Sequence, residues 1–371
     1  MSQNARVPPS APLAYVTSME QVEIDEAKTS AEIDHTMAKI RETTYQHSSV
    51  PTRSVHAKSH GLLTGNLIVA PGLPPVLAQG LFAKPATYPV LMRFSTTPGD
   101  ITDDNVSTPR GLAIKVMGTQ GARVRGSEND TTQDFVLMNG PAFQRPGIKG
   151  FLMDLKMLEP TTDKAEGAKV AASAVFRGLE TVIEAFGGKS TKVISLGGQP
   201  KTHILGETFY SQVPVLFGTY IAKIGVFPVS PGLTSLTDAP LDLSGKPEGI
   251  RQAVSDHFAQ DGGTWEVRVQ LCTNTKTMPI EDASVIWPED ESPYVTVATL
   301  HVEAQDSWSP AKIAKIDEGM SFSPWHALAD HRPLGSVMRA RQQAYIESAN
   351  FRAAHGGKMI KEPASIEEMN L

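Results

Sequence analysis

Short β-type runs between about residues 62 and 140 are the feature that most limits how this chain can fold. The clearest runs are Leu67–Ala70, Val90–Phe94, Leu112–Met117 and Asp134–Met138, and Gly, Pro, Asp or Asn separates most of them. Turn-forming residues between short apolar strands are typical of strands joined by tight connections. The pattern therefore predicts an antiparallel barrel or sandwich.

Segments with helical spacing flank this strand region. Apolar residues recur at helical intervals over residues 17–47 and 165–187, and a third helix is predicted from Ser336 to Phe351. Two further strand candidates, Trp265–Cys272 and Tyr294–Val302, precede the third helix. This order predicts an α+β fold in which an antiparallel β-barrel core carries flanking helices.

We divide the chain of 371 residues into three parts. Residues 1–48 form an N-terminal arm and helix, and residues 49–357 form the barrel domain with its C-terminal helices. Residues 358–371 form a tail, which we expect to be loose. One α+β domain is favoured over two separable domains because the helices flank a single barrel.

Charge and hydropathy exclude two classes of partner. The formal net charge is −6, and Lys and Arg form no dense block, which argues against a nucleic-acid surface. Pro214, Lys223 and Pro228 interrupt the longest apolar stretch, Val213–Val229, so it is too broken to span a bilayer. Residues 1–16 lack the basic start and apolar run of a secretory signal, and the C-terminal tripeptide is not a peroxisomal address. We therefore expect a cytoplasmic protein.

The single cysteine, Cys272, excludes an internal disulfide and any metal cage built from cysteines. Its place at the end of the alternating run Trp265–Cys272 predicts a small core residue, which we favour over a nucleophile. Any metal in this protein must therefore be held by His, Tyr or carboxylate groups, or must enter inside a cofactor.

The sharpest candidate for chemistry lies near the C-terminus, where Arg341, Tyr345 and Arg352 share one helical stripe. On a helical wheel Arg341 lies about 40° from Tyr345 and about 20° from Arg352. A neutral phenol is a poor metal ligand, but an adjacent guanidinium and a ferric ion both favour the phenolate. The alternative is a surface helix whose arginines pack on an interface tyrosine.

Two further segments carry candidates for proton transfer and substrate binding. His56 lies in Arg53-Ser-Val-His-Ala-Lys, and an imidazole that titrates near neutrality can move a proton between two peroxide oxygens. Asn139 ends an apolar strand before Gly-Pro, and its amide can donate to a bound peroxide oxygen. The alternatives are a core histidine with satisfied hydrogen bonds and an ordinary turn asparagine.

Taken together and in this order, these segments resemble the catalases. The shared motifs are Arg-x-x-His-Ala-Lys-x-x-Gly from Arg53, Arg-Phe-Ser-Thr from Arg93, Arg-Gly-x-Ala-x-Lys from Arg110, the Asn after an apolar strand, and Arg-x-x-x-Tyr from Arg341. The resemblance covers roughly residues 50–355. Each motif is weak alone, but the ordered set is highly specific.

Three other segments, His203–Gln212, Met278–Ala283 and Ser323–His326, are similar to a short catalase-related branch. That branch corresponds to the catalase core without its long arms or its C-terminal flavodoxin-like domain. The resemblance therefore implies the catalase-like haem fold without that domain, with residues 49–357 binding the haem.

The resemblance also implies a role for each candidate residue. His56 would be the distal acid–base residue, Ser95 would orient its ring through a hydrogen bond, and Asn139 would hold and polarise the peroxide. Tyr345 would be the axial ligand of a ferric haem b, and Arg341 would stabilise its phenolate. Haem contacts are further implied for three arginines that would meet the propionates and for two apolar residues: Arg53, Arg93 and Arg352, with Val55 and Phe143.

Two positions depart from the catalase pattern. Gln144 stands where many catalases continue with an aromatic residue, and it would make the distal side roomier or wetter. Ala349 stands where a larger side chain is frequent. Both departures would alter the haem pocket.

The implied function is that of a haem peroxidase or catalase-related oxidoreductase, which reduces hydrogen peroxide or organic hydroperoxides through a ferryl intermediate during oxidative stress. It requires a hydroperoxide substrate and an unidentified electron donor, and relatives of this kind commonly form homo-oligomers. One alternative is a fatty-acid hydroperoxide isomerase or dehydratase of the allene oxide synthase type, because some relatives with this framework rearrange such substrates. A second alternative is a haem-binding protein without catalytic activity.

Overall fold

A closed antiparallel β-barrel forms the centre of the computed structural model, which describes residues 10–162 and 199–371. Its strands are β1 (Lys58–Val69), β2 (Thr87–Thr96), β3 (Arg110–Met117), β4 (Thr132–Met138), β5 (Phe209–Tyr210), β6 (Val215–Phe217), β7 (Tyr220–Pro228), β8 (Gly263–Leu271) and β9 (Val295–Val302). The six strand predictions correspond to β1–β4, β8 and β9 and are confirmed. The helix predicted over 165–187 lies outside the described residues.

Pairing between β5 and β7 closes the barrel. Neighbouring strands follow the order β5-β4-β3-β2-β1-β9-β8-β7, and β6 extends the sheet beside β7. At the closure Phe209 pairs with Val226 and Tyr210 pairs with Gly225, in antiparallel register like every other pair. The eight strands of the ring therefore have no free edge.

Alternate side chains along the strands point inwards and fill the barrel. On β8, Trp265, Val267 and Val269 are buried in the main core, whereas the intervening Glu266 and Arg268 are half-buried on the other face. Successive side chains of a strand point to opposite faces, so one periodic pattern supplies both the core and the outer surface.

The sequence does not predict β5, β6 or β7, because Lys223 and two prolines interrupt the apolar stretch that contains β6 and β7. Lys223 is nevertheless buried within β7. Its ammonium donates to the Val285 carbonyl at 3.1 Å and lies 5.1 Å from the centre of the Trp287 ring. The segment that contains Val285 and Trp287 thus provides a hydrogen-bond acceptor and an aromatic ring for the buried ammonium. From the strand pattern alone this lysine would be expected on the surface.

Four helices of ten or more residues flank the barrel in the described ranges: α1 (Glu26–Ser48), α2 (Gly147–Leu158), α3 (Gly249–Phe258) and α4 (Ser336–Gly356). Short helical turns lie at Thr17–Met19, Gly80–Phe82, Glu159–Thr161, Ile204–Gly206, Pro231–Thr234, Pro310–Lys312, Ile313–Asp317, Ala329–His331 and Glu367–Met369. Apolar residues join α1, α2 and α4: Ile33, Met37, Ile40, Ile148, Leu152, Leu155, Ala340 and Ala344. None of the described helices is both long and apolar enough to cross a membrane.

Helix boundaries confirm one prediction and correct another. The predicted C-terminal helix is α4, which continues past Phe351 and ends where Gly357 adopts a left-handed conformation. The predicted start of the first helix at residue 17 is wrong, because α1 begins at Glu26. The Glu20 carboxylate accepts hydrogen bonds from three side chains, which tie the preceding segment to other parts of the fold: Tyr15, Arg332 and Arg339.

The segment after Gly357 packs on the protein, so the expectation of a loose tail is wrong. The Lys361 amide donates to the Gly319 carbonyl at 3.1 Å, and the short turn Glu367–Met369 buries Met369. Met369 belongs to an apolar cluster with residues that precede α4: Ile316, Met320 and Phe322. The division into parts at residues 48 and 357 stays a prediction.

Buried charges also join this segment to the barrel. Lys115 of β3 is fully buried, and its ammonium donates to both carboxylate oxygens of Asp134 at 2.8 Å and to Glu362. His326 lies 3.2 Å from carboxylate oxygens of Asp134 and of Glu362. Burial and the nearby Lys115 lower the pKa of His326, but hydrogen bonds to the two carboxylates outweigh them and raise the pKa to about 9. Two positive and two negative charges therefore compensate each other inside the protein.

We expect Lys115→Met to lower the free energy of unfolding by about 3–5 kcal/mol, because the two carboxylates lose one of their two cations and a negative charge is left uncompensated. Urea denaturation followed by circular dichroism measures the change. The matched control is Lys246→Met, which removes an exposed ammonium paired with Asp242 and should change stability by less than about 1 kcal/mol. Equal effects of the two substitutions would contradict a compensated buried cluster.

Candidate active site

A cavity with about 660 Å³ of empty volume lies between the barrel wall and helices α1 and α4. Strands β2, β3 and β4 contribute one part of the wall, and α4 contributes another. Seven of the ten residues predicted for the site line this cavity: Arg53, Val55, His56, Arg93, Ser95, Tyr345 and Arg352.

His56 lies just before β1 and is fixed against the barrel wall. Its Nδ1 atom lies 3.1 Å from the Ser95 hydroxyl oxygen on β2, and no described residue forms a hydrogen bond with its Nε2 atom. The backbone of His56 has a φ of 54°, in the left-handed region, where residues other than glycine are uncommon and often functional. A β-carbon at Gly111 of β3 would lie 2.7 Å from the His56 ring, so the ring packs directly on that backbone.

The surroundings of His56 keep its imidazole neutral. Burial and the positive charges of Arg93 and Arg341 lower the pKa of His56 from 6.5 to about 3. A neutral ring can accept a proton at one nitrogen while the other nitrogen holds its hydrogen bond. The imidazolium that forms is a strong acid, so it readily returns the proton.

Tyr345 and Arg341 form a close pair one turn apart on α4. The Arg341 guanidinium donates to the Tyr345 hydroxyl oxygen at 2.6 Å, and Arg341 also donates to the Met338 sulfur at 3.4 Å. Arg341 itself does not line the cavity, but it bonds to Tyr345 there and its charge lowers the pKa of His56. A guanidinium beside a phenol oxygen stabilises the negative charge of a phenolate. The hydroxyl oxygen of Tyr345 lies at the cavity wall beside this guanidinium.

Three arginines meet around one carboxylate that sequence reasoning missed, that of Asp317. Arg53 and Arg93 each donate to its Oδ1 atom at 2.9 Å, and Arg352 donates to its carbonyl at 3.3 Å. Burial raises the pKa of Asp317, but the adjacent Arg93 and Arg53 outweigh it and hold the pKa well below its usual range. No motif marks Asp317 in the sequence, since it is one acid among the mixed residues 314–319.

The structure leaves Asn139 and Phe143 outside the cavity lining. The Asn139 amide donates to Gln199 at 3.0 Å and to Glu207 at 2.7 Å, so both of its hydrogens already have acceptors. Glu207 lies there because it forms an ion pair with buried Arg110. Phe143 packs instead against a small apolar cluster: Val213, Ala283, Val337 and Met338. A peroxide contact for Asn139 and a haem contact for Phe143 stay predictions.

Catalases of known structure share this architecture. Catalase A from Saccharomyces cerevisiae matches with a TM-score of 0.61 and 16% sequence identity, over 97% of this chain and 70% of that one. A fungal catalase matches with a TM-score of 0.56 and 17% identity, over 86% of this chain and 65% of that one. A bacterial catalase gives 0.56 and 16%, over 96% and 67%. The chain has the catalase fold.

The catalase fold was implied by the sequence motifs, and the structural matches confirm it. At identities of 16–17% this likeness concerns the fold alone. Neither a protein-family model nor a curated protein matches the chain by sequence. The chemistry of the site must therefore be argued from its own residues.

Within this catalase fold, Gly111 is the residue that leaves room for the His56 ring. We expect Gly111→Ala to displace the imidazole and break its bond to Ser95, with a loss of about 1–3 kcal/mol of stability from overpacking. Denaturation curves and the NMR resonances of the His56 ring measure the two effects. In the control Gly232→Ala the nearest atom lies 3.5 Å away, so the same measurements should change little. Unchanged His56 resonances in Gly111→Ala would contradict this packing.

The lowered pKa of His56 makes stability depend on pH. Below pH 6.5 the unfolded chain binds a proton at His56 that the folded chain binds only near pH 3, so stability falls as the pH falls. Between pH 8 and pH 5 this one group should remove about 2 kcal/mol from the free energy of unfolding. Urea denaturation of the cofactor-free protein should therefore show a smaller pH dependence in His56→Gln, and an unaltered one in the exposed control His35→Gln. The same pH dependence in all three proteins would argue against the shift.

Proposed function

We propose that this chain is a haem-dependent oxidoreductase that reduces hydrogen peroxide or organic hydroperoxides. The observation that supports it best is one cavity lined by His56, bonded to Ser95, and by Tyr345, bonded to Arg341. A neutral imidazole suits proton transfer, and a phenol beside a guanidinium suits metal ligation. The likeness to catalases adds support at the level of the fold.

The charges at the cavity fit a haem group. Arg53, Arg93 and Arg352 bring three positive charges. Among the described residues, the Asp317 carboxylate alone forms ion pairs with Arg53 and Arg93, and Arg352 donates to the backbone carbonyl of Asp317. Two positive charges remain, which equals the charge of two haem propionates. The Nε atom of Arg352 is buried without a hydrogen-bond partner among the described residues, and such a donor costs about 1–3 kcal/mol unless a ligand satisfies it.

The proposal gives each part of the cavity a task in holding the group. Tyr345 would provide the metal ligand with Arg341 supporting its negative charge, and the three arginines beside Asp317 would bind the propionates. When bound, haem supplies the oxidation–reduction chemistry that breaks the peroxide bond, which side chains do not provide. The remaining tasks of the protein are to orient the hydroperoxide and to move its proton.

His56 performs the proton transfer in this proposal. When its Nδ1–H donates to the Ser95 hydroxyl oxygen, Nε2 carries the lone pair and accepts the proton of the hydroperoxide OH group. The protonated ring then returns that proton to the other peroxide oxygen, which leaves as water or as an alcohol. The low pKa of His56 favours this second step. The hydroxyl of Ser95 holds the His56 ring in position through Nδ1.

The test is to produce the chain with added haem and to record absorption spectra before and after peroxide addition. We expect a haem spectrum, a peroxide-driven change, and turnover of hydrogen peroxide or cumene hydroperoxide with an organic donor. His56→Gln should retain haem and lose turnover by about 100-fold or more, which is the usual contribution of a general acid–base. Tyr345→Phe should lose haem, because it removes the ligand atom.

Matched controls separate these effects from general damage. Exposed His35→Gln and half-buried Tyr88→Phe, both outside the cavity lining, should behave like the wild type. A colourless wild-type protein, or full turnover in His56→Gln, would refute the proposal. Conversion of a fatty-acid hydroperoxide without any reductant would support the isomerase alternative instead.

A further inference from the structure

Asp317 contacts the three arginines of the cavity wall but is not itself among the residues that line the cavity. Its Oδ1 atom accepts hydrogen bonds from Arg53 at 2.9 Å, from Arg93 at 2.9 Å and from the Ser59 hydroxyl at 2.7 Å. Its backbone carbonyl accepts from Arg53 at 2.7 Å and from Arg352 at 3.3 Å. One residue therefore bonds to all three guanidinium groups and can act on a ligand only through them.

The backbone around Asp317 is shaped for these bonds. Asp317 ends a π-helical turn, Ile313–Asp317, in which the Glu318 amide donates to the Ile313 carbonyl at 2.9 Å. Such turns are rare and frequently occur at functional sites. The chain turns away after Asp317, so its carbonyl has no helical partner and is available to Arg53 and Arg352. The Lys361 amide holds the following residues through the Gly319 carbonyl at 3.1 Å.

We infer that Asp317 is a positioning residue: it holds the three arginines in place in the ligand-free chain and leaves the site with two uncompensated positive charges, suited to a ligand with two carboxylates. This inference rests on the proposed function, in which those carboxylates are the haem propionates. Asp317 and the propionates share the same guanidinium groups. Removal of the Asp317 charge therefore frees the arginines for the ligand and adds one positive charge to the site.

A residue that balances charge and a residue that only supports the local fold differ in how their replacement affects the binding of charged and neutral ligands. A residue that only supports the local fold would weaken the binding of charged and neutral ligands equally when it is replaced. A residue that balances the charge of the arginines changes the preference between the two forms. Haem and its propionate dimethyl ester supply this comparison, since the ester lacks the two negative charges and adds only two methyl groups.

The experiment titrates both forms into cofactor-free wild type, Asp317→Asn and Ser59→Ala. Asp317→Asn keeps the shape and one acceptor but loses the charge, whereas Ser59→Ala removes a bond to the same oxygen and keeps the charge. We expect the preference for haem over its ester to rise by more than tenfold in Asp317→Asn, because the repulsion of one unit charge at roughly 10 Å with an effective dielectric constant of about 20 is worth about tenfold for each of the two carboxylates. Ser59→Ala should keep the wild-type ratio.

Thermal unfolding of the same cofactor-free proteins gives a second readout. Asp317→Asn should melt several degrees below the wild type, because the guanidinium groups of Arg53 and Arg93 lose their carboxylate partner, and haem should restore part of the difference. Equal weakening of both ligand forms, or an unchanged melting temperature in Asp317→Asn, would overturn the inference while the haem proposal stands. A wild-type chain that binds neither form would overturn the proposed function and the dicarboxylate assignment together.

Discussion

Arg339 anchors the helix that carries Tyr345, and the site depends on that anchor. Its guanidinium donates to the carboxylates of Glu20, Glu26 and Glu281 over distances of 2.7 to 3.2 Å. Burial lowers the pKa of Arg339, but hydrogen bonds to Glu26 and Glu281 outweigh it and raise the pKa above its ordinary value. Arg339 thus joins the first turn of α4 to Glu26 at the start of α1 and to Glu281, a few residues before the Val285 carbonyl that contacts Lys223 of β7. The rotation of α4 is then set, and Tyr345 faces the cavity less than two turns later.

Arg341 couples the two reactive groups of the cavity. It donates to the Tyr345 hydroxyl at 2.6 Å, and its charge contributes to the low pKa of His56. Part of the cavity wall is apolar, including Leu112 and Val136, and charges act more strongly where water is excluded. One guanidinium therefore holds the Tyr345 hydroxyl in place and at the same time favours the neutral form of His56.

The two ionic clusters described above differ in whether their positive and negative charges balance. Around Lys115 the positive and negative charges are equal in number, and every partner comes from the protein. Around Asp317 the positive charges exceed the negative ones, and the arginines line a cavity. The first cluster holds the C-terminal segment on the barrel. In the proposed function an anionic ligand balances the excess charge of the second cluster.

The sequence by itself determined what depends on neighbours along the chain. Short β-type runs, most of them bounded by turn-forming residues, predicted six strands, and the four-residue spacing of Arg341 and Tyr345 predicted that their side chains meet on one helix. The set of motifs implied the catalase fold, and seven of the predicted site residues line one cavity.

Only the tertiary structure decided which distant residues share buried charges. Arg53 bonds to Asp317, which lies 264 residues further along the chain. Asn139 donates to Glu207, and Lys115 donates to Glu362 of the C-terminal segment. None of these contacts produces a periodic pattern in the sequence, because such a pattern reflects the geometry of a single helix or strand. The need to pair a buried charge is met by whichever opposite charge the completed fold brings near.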